Sequence, residues 1–528
     1  MLSAFLFVFG IAAPQGQPPS EPLRLRVEQL HEEGGRSVRG VRLLEPDAVS
    51  HFFQIRNFTP AWRGAGPDQI LQAVRDAEQD GLVPRDYHLA VIEALRAAPA
   101  DTPGRDADLQ ILLTDAVAAL VNHVRFGKVR PVTLDRRWNV DPRAGAPPLE
   151  TFVADVAAAP SASAAIESLK STHFIYRGLK QALAAQRTAA SPGPWPVVPS
   201  GPTLKPGMRN PRIAAVRKRL AATGELLPAP ESDEYDDALA VAVKRFQEHH
   251  RLTPDGSIGR ATLDALNVSA ATRADQIRVN LERARWVVGG LSDTFVLVNL
   301  PAFKTYLIRN GKNVWETRTQ VGKAGRQTPT FRADLRYIVF NPDWTVPPTI
   351  LAQDVLGAMR KGENAIEKKK LTIVDRQGKL VSPESIDWAT ATPQTFPYTL
   401  RQPPGPDNAL GRVKFIFPNE HAIFLHDTPS QQLFRADERT FSSGCIRVEN
   451  ALALAAVLLD GQDDWNGDRI QQAVDAGRTQ TVFLKQPLPV LIVYWTVSVG
   501  ASGELRYARD VYRLDPVVLR ALNASNRT

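Results

Sequence analysis

Proline recurs at every second or third position between Pro192 and Pro202 (Pro192, Pro194, Pro196, Pro199, Pro202). Proline fixes φ and removes a backbone donor, so no helix or interior strand runs through such a stretch, and a stiff extended connector is expected over residues 188–203. The length of 528 residues points the same way, because single cores stop growing at about 250–300 residues. Upstream, residues 22–187 are rich in Ala, Leu and Arg, with apolar positions at helical spacing. Ile70, Val74 and Ala77 show it, as do Leu113, Ala116, Val117 and Leu120. This predicts an α-helical domain. Downstream, residues 204–268 place Ile213, Val216, Leu220, Ala242 and Phe246 at helical spacing around a turn-rich centre. Residues 269–292 read as a connecting helix.

From Asp293 the period changes. Phe295 to Leu300 and Lys304 to Arg309 are short β-rich runs, and Asn310-Gly311 after them is a strong hairpin signal. Strands are expected to continue through Tyr337–Phe340 and Val413–Phe417, turn at Pro418-Asn419-Glu420, and return through His421–His426. A regular last strand would put His421 and His426 on opposite faces. A mostly β domain is therefore expected over 293–488, followed by a C-terminal segment, 489–528. Residues 349–410 interrupt it. They begin with a helical pattern (Ile350, Val355, Leu356, Met359), continue to a turn at Arg376-Gln377-Gly378, and end in Gln402-Pro403-Pro404-Gly405-Pro406, a composition that suits a hinge.

The first 13 residues are apolar, too short to span a membrane comfortably, and end in small side chains. That pattern is a signal-peptide core, so residues 1–20 are expected to direct export, with no stable membrane span afterwards. The net charge is +8, but Lys and Arg are scattered, with one short tract at Lys368-Lys369-Lys370. Nucleic acid is not an expected partner; a basic exported protein meets carboxylate-rich wall or anionic lipid.

Cys445 is the only cysteine. It cannot form an internal disulfide, and although most free cysteines are small buried hydrophobes, this one lies in Phe441-Ser442-Ser443-Gly444-Cys445-Ile446-Arg447, a loop composition. His426 closes an apolar run 19 residues earlier, and His-Asp-Thr-Pro is a turn signal that exposes it at a rim. A thiol near an imidazole is a nucleophile with a base. The neighbouring pair His249-His250 has no thiol or carboxylate at ligand spacing, so no metal site and no cofactor are expected.

A strand-end histidine, a loop, then Ser-x-Gly-Cys-x-Arg resembles the L,D-transpeptidase (YkuD-type) catalytic domain. Val321-Gly322-Lys323 and Thr328-Pro329-Thr330-Phe331 match that family's earlier loop. The likeness extends to its large Gram-negative branch through Asn341–Pro348, Gly405–Arg412 and His426–Pro429, and through Asp80-Gly81-Leu82 with Pro84 and Tyr87 in the scaffold. Many family members carry histidine where this chain has Ser443, whereas the large branch commonly reads Ser-Ser-Gly-Cys. Residues 242–247, 252, 255–259 and 262–267 resemble the small three-helix peptidoglycan-binding module. The expected fold is thus multidomain α+β: a helical scaffold, a three-helix module, and a mostly β catalytic domain carrying an inserted lid.

The resemblance implies peptidoglycan stem peptides as donor and acceptor, a periplasmic location, Cys445 as nucleophile and His426 as base. Backbone N–H groups around Gly444 and Cys445, with Ser443, would form the oxyanion loop. Trp344 and Tyr306 are expected near substrate, and Arg447 is expected either to fix the loop, the preferred role, or to bind a substrate carboxylate. Asp427 is not assigned as a third catalytic member; a backbone carbonyl is expected to orient His426. A cysteine hydrolase using the same dyad and a non-catalytic wall-binding scaffold are the competing readings. Oligomeric state is left open.

Overall fold

The computed structural model describes residues 18–32, 36–228, 230–462, 465–500 and 503–524. The apolar N-terminal core of the expected signal peptide lies outside these residues.

The helical region is built around Arg105–Phe126, in which Ile111, Leu112, Ala116, Val117, Leu120 and Val124 are all buried. This helix is long and apolar enough to cross a membrane, yet the scaffold core encloses it. The expected Ile70, Val74 and Ala77 stripe is buried as well. Asp80 explains the Asp-Gly-Leu segment. Its carboxylate is fully buried, 2.6 Å from Lys170 Nζ, and accepts the Tyr176 hydroxyl at 2.8 Å.

The segment expected to be a mere connector is the spine of the molecule. Helix Ala270–Val288 buries Ile277, Leu281, Ala284 and Trp286 together with Asn280, Glu282 and Arg285. Glu282 takes the Val129 N–H at 2.6 Å and pairs with Arg285 at 2.8 Å, so its buried charge is satisfied from two sides. One continuous core runs through the scaffold, this helix, the outer face of the β domain and Val518 and Leu522 near the C-terminus. The proline-rich connector is also packed: Val198 is 1% exposed, and its backbone exchanges hydrogen bonds with the Asn267 amide at 2.8 and 2.9 Å.

The small module has helices Arg212–Ala221, Asp237–His249 and Arg260–Leu266 around the expected apolar set. Thr262 lies in the first turn of its helix, where it is buried and accepts Gln247 Nε2 at 3.2 Å. The module sits against the β domain: Arg251 reaches Ser498 Oγ at 3.1 Å, and Thr253 donates to Asp437 at 2.5 Å.

The β domain and its insertion comprise β1 (Phe295–Asn299), β2 (Lys304–Arg309), β3 (Lys312–Gly322), β4 (Phe331–Phe340), β5 (Trp344–Thr345), β6 (Thr372–Val374), β7 (Thr399–Gln402), β8 (Val413–Ile416), β9 (Leu425–His426), β10 (Thr440–Ser442), β11 (Ile446–Val448) and β12 (Gln480–Val493). The order β10-β3-β11-β9-β8-β4-β12-β1-β2 closes on itself because β2 also pairs with β3. Val298, Leu307, Ile338, Phe415, Leu425, Ile446 and Val448 fill the interior. The expected boundary at 488/489 cuts through β12. Pro487 belongs to the stretch between Phe483 and Leu488 where the β12 register shifts, and pairing with β4 resumes through Leu488–Ile492.

The insertion is a folded unit rather than a loop. Strands β5, β7 and β6 form a three-stranded sheet, and Val346, Val355, Ile366, Ile373 and Leu400 make a separate small core. It therefore begins at Trp344, earlier than expected. The Arg376–Gly378 turn is present, with the Asp375 carboxylate accepting from Gln377 N–H and Lys379 N–H, each at 2.9 Å. The segment expected to be a hinge is tied down. The Gln402 amide bonds Lys369 O, Asp407 O and Ala409 N, and Asn408 bonds the carbonyls of Gln402 and Pro403.

Candidate active site

Three short strands bring the predicted pair together. β8 and β9 are antiparallel with Lys414 opposite His426, β9 and β11 are parallel with His426 beside Arg447, and Arg447 faces Gln320 of β3. Residues directly paired across strands share a face. Leu425, Phe415, Ile446 and Val448 point inward, so Lys414, His426, Arg447 and Gln320 form one row on the outer face. Cys445 immediately precedes β11, two residues before Arg447. It is thus the diagonal neighbour of His426, a relationship of roughly 7 Å between backbones that side chains span.

The expected regular strand from His421 to His426 does not form. Ala422 has φ +52°, β9 is only two residues long, and His421 turns away to pack edge-on against Phe331 at 4.9 Å between ring centroids. The left-handed kink frees the Ala422 carbonyl to accept the Cys445 thiol at 3.7 Å. His426 is 3% exposed, and its Nδ1 lies 2.5 Å from the Asp427 carbonyl oxygen. A carbonyl only accepts, so Nδ1 carries the proton and Nε2 keeps its lone pair. The Asp427 carboxylate points away, accepting Arg412 N–H at 2.9 Å and Gln431 Nε2 at 3.2 Å.

Burial sets the resting charge state. Loss of water, reinforced by the Arg447 and Lys414 charges and only partly offset by the Asp427 carbonyl, holds His426 down at about 3. Burial likewise pushes the Cys445 thiol up to about 11, opposed by the Phe424 N–H and the Arg447 charge. Burial thus favours the neutral form of both groups near pH 7.

Residues 293–471 match the family described as the L,D-transpeptidase catalytic domain. Residues 293–471 are an L,D-transpeptidase catalytic domain. Residues 47–183 match a family described as a scaffold domain, and residues 209–266 one described as "Putative peptidoglycan binding domain". A Haemophilus influenzae protein named "Putative L,D-transpeptidase" is 33% identical over 269 residues, 50% of this chain and 54% of the relative, so the match spans about half of that relative's length. The crystal structure of an L,D-transpeptidase from Xylanimonas cellulosilytica aligns at 15% identity over 56% of this chain and 99% of its own, with a TM-score of 0.18. A fused Zn-dependent amidase/peptidase and peptidoglycan-binding protein from Clostridium acetobutylicum aligns at 11% identity over 56% and 100%, with a TM-score of 0.16. Global scores this low add nothing to the architecture described above.

In the L,D-transpeptidase domain the thiol loop is held from three directions. The Ser442 hydroxyl accepts Gly444 N–H at 3.1 Å and donates to Cys445 O at 2.5 Å, making a tight turn in which Gly444 takes φ +123°, a region L side chains avoid. Thr328 Oγ1 donates to Gly444 O at 2.7 Å and accepts Gly322 N–H at 2.9 Å. Gly322 must be glycine, because a Cβ there would lie 2.1 Å from Arg326 O. From the C-terminal segment, the Tyr512 hydroxyl donates to Gly322 O at 2.5 Å. Thr328 stood in a quoted motif without a role. Tyr512 carried no signal, since nothing local links it to a loop 190 positions away.

The other expected site residues divide. Gly444 spends its N–H on Ser442, so it is not an available oxyanion donor. Ser443 turns its hydroxyl to Arg326 Nη1 at 2.7 Å. Arg326 also forms a bidentate pair with Asp354 at 2.7 Å and reaches Gln353 at 2.8 Å, latching the insertion to the residue two before the thiol. Asp354 and Gln353 lie on the π-helical turn Leu351–Val355, a feature common at functional sites. Arg447 faces the site, donating to Gln320 at 3.1 Å. Trp344 packs into the insertion's own core, and Tyr306 lies on β2, with Arg251 of the small module 3.4 Å from its hydroxyl and its ring on the shared scaffold core. Tyr306 is not brought to the thiol. Among the described residues no cluster of three or more metal-ligating side chains occurs; His249 does meet a carboxylate, Glu225 at 2.8 Å, but as an ion pair shared with Arg245.

Proposed function

We propose that the chain is a peptidoglycan L,D-transpeptidase that works through a Cys445 acyl-enzyme. The observation that carries the reading is the register that sets Cys445 diagonal to His426 while the Asp427 carbonyl fixes the imidazole with Nε2 unprotonated. Because both groups start neutral, Nε2 removes the thiol proton as sulfur attacks, acting as a general base rather than as half of a standing ion pair. The attacked carbonyl is that of the third residue of a donor tetrapeptide stem. Its C–N bond breaks, the departing nitrogen takes the proton from the imidazolium, and D-alanine leaves. An amine of a second stem then attacks the thioester, gives its proton to Nε2, and releases the thiolate, which recovers a proton. With Gly444 N–H committed to Ser442, the Cys445 N–H is the proposed oxyanion donor.

The insertion latched through Arg326 acts as the lid that keeps water from the thioester, and the small module and scaffold hold the catalytic domain on the wall. Substrate of this kind is met outside the cytoplasmic membrane, so the protein is assigned to the periplasm. Incubation of the purified protein with disaccharide tetrapeptides, followed by mass analysis, should yield dimers lacking one D-alanine. Exclusive release of D-alanine without dimers would favour the hydrolase, and no change in mass would leave the wall-binding scaffold.

A further inference from the structure

A cavity of about 280 Å³ lies where the scaffold, the spine helix, the L,D-transpeptidase domain and the C-terminal segment meet. Small-molecule sites concentrate at such junctions, and roughly 300 Å³ is the lower end of their usual size. The wall is largely aromatic. Trp138 and Trp286 meet edge to face with ring centroids 5.7 Å apart, Tyr494 and Tyr512 stack at 5.5 Å, and Trp495 lies beside them. Arg283 and Trp286, three positions apart on helix Ala270–Val288, share a face and both line the cavity. The Arg283 side chain is 5% exposed; it gives Nη1 to Asp515 at 2.5 Å, lies over the Tyr494 ring at 5.1 Å, and leaves Nη2–H buried without a partner. The indole N–H of Trp286 is buried without a partner as well. Unmet donors in an apolar wall are costly until an acceptor reaches them. The charges, by contrast, are matched: Arg283 by Asp515, with the Asp510 charge acting on that pair, and Arg137 by Asp135 at 2.9 Å. The wall thus calls for an acceptor and not for an added charge. It also reaches the frame of the nucleophile. Thr328 and Tyr512 both line the cavity, and the Tyr512 hydroxyl accepts Thr328 N–H at 3.4 Å while donating to Gly322 O.

We propose that this cavity is an effector site for a small uncharged aromatic molecule, one or two rings carrying an amide or ketone, whose oxygen takes the spare N–H of Arg283 and whose ring packs on Tyr512 and stiffens the thiol loop. The site stands apart from the cross-linking chemistry and does not depend on it. An occupant that keeps Tyr512 on Gly322 O also keeps Thr328 in place under Gly444 O, and so reduces the excursions by which the thiol meets a reagent. The coupling is reciprocal: a change in the loop changes the affinity of the cavity.

The probes are 1-naphthamide, 1-methylnaphthalene and 1-naphthoate, each titrated calorimetrically into the intact chain. The amide should bind about tenfold tighter than methylnaphthalene, the worth of one hydrogen bond, and tighter than the charged naphthoate. Arg283→Lys keeps the charge against Asp515 and gives up the second nitrogen; it should erase the advantage of the amide and leave methylnaphthalene binding unchanged. Val517→Phe fills the cavity from the C-terminal helix Asp515–Asn523 and should abolish binding of both. With saturating naphthamide, iodoacetamide should alkylate Cys445 about fivefold more slowly in the parent and at an unchanged rate in Val517→Phe. If Arg283→Lys misfolds, the three probes on the parent and on Val517→Phe decide. Failure of all three to bind the parent, equal affinity of amide and methylnaphthalene, tighter binding of naphthoate, or binding that survives Val517→Phe would overturn the site. An unchanged alkylation rate at saturation would overturn its action on the thiol.

Discussion

The Thr328 hydroxyl and the Gly444 carbonyl, 116 positions apart in sequence, are joined at 2.7 Å. The thiol loop therefore depends on a contact that touches no reacting atom. Thr328→Val keeps the shape and leaves Gly444 O and Gly322 N–H buried without their partner. A stability loss of about 1–3 kcal/mol is expected, with kcat falling further than in Thr328→Ser, which restores the hydroxyl. Equal kcat in the two variants would remove the positioning role.

The dyad's charge state makes a pH prediction. With the Cys445 thiol raised to about 11 and His426 lowered to about 3, and with Arg447 and Lys414 the charges facing them, iodoacetamide should react about tenfold faster per pH unit from pH 6 to 10. A plateau in the neutral range would reveal a standing thiolate. Cys445→Ser should abolish turnover with the fold retained, and His426→Ala should lower turnover by about 10²–10⁴. Retained activity in either, measured on soluble tetrapeptide, would reassign that role.

Acid should weaken the fold through buried imidazoles. His123 and His426 are held at about 3, and His250 well below its ordinary value, chiefly by loss of water. Unfolded, each takes a proton near 6.5, so stability is fully present above that pH and declines as pH falls toward the folded values. The slope is about 1.4 kcal/mol per pH unit for each histidine. His123→Asn, which keeps an acceptor for the Tyr87 hydroxyl 3.0 Å away, should flatten the denaturation midpoint against pH by about one proton between pH 6 and 4.

Arg326 is the link between insertion and thiol loop, and its side chain is only 9% exposed. Arg326→Ala should loosen the insertion without unfolding its separate core. The ratio of hydrolysed to cross-linked product should then rise severalfold while iodoacetamide still reaches Cys445. An unchanged product ratio would show that the insertion does not exclude water.

Much of this was legible in the chain, for identifiable reasons. Cys445 and His426 stood out because a lone thiol in loop composition and a strand-end imidazole are rare features with strong local signals. The helical stripe through Leu113 and Leu120 and the module positions Ile213 and Phe246 were readable because amphipathic periodicity is local. That Lys414 stands opposite His426 depends on strand register, which periodicity cannot supply. The Arg326–Ser443 and Tyr512–Gly322 contacts are long-range and leave no pattern. The Pro403–Pro406 segment misled because its composition suits a hinge, whereas Gln402 and Asn408, buried polar residues whose bonds hold it still, look like ordinary loop residues. Residues 269–292 were underread for a related reason: Glu282 and Arg285 give the helix a solvated appearance, although both charges are consumed internally.

The support that Tyr512 gives to Gly322 also has a consequence in time. A chain made from its N-terminus holds Cys445 and His426 before it holds Tyr512. Until Tyr512 arrives, the loop beneath the nucleophile lacks one of its anchors, and until Val518 and Leu522 arrive the spine helix lacks part of its cover. A chain that stops short of Tyr512 carries the thiol but lacks that part of the frame beneath it.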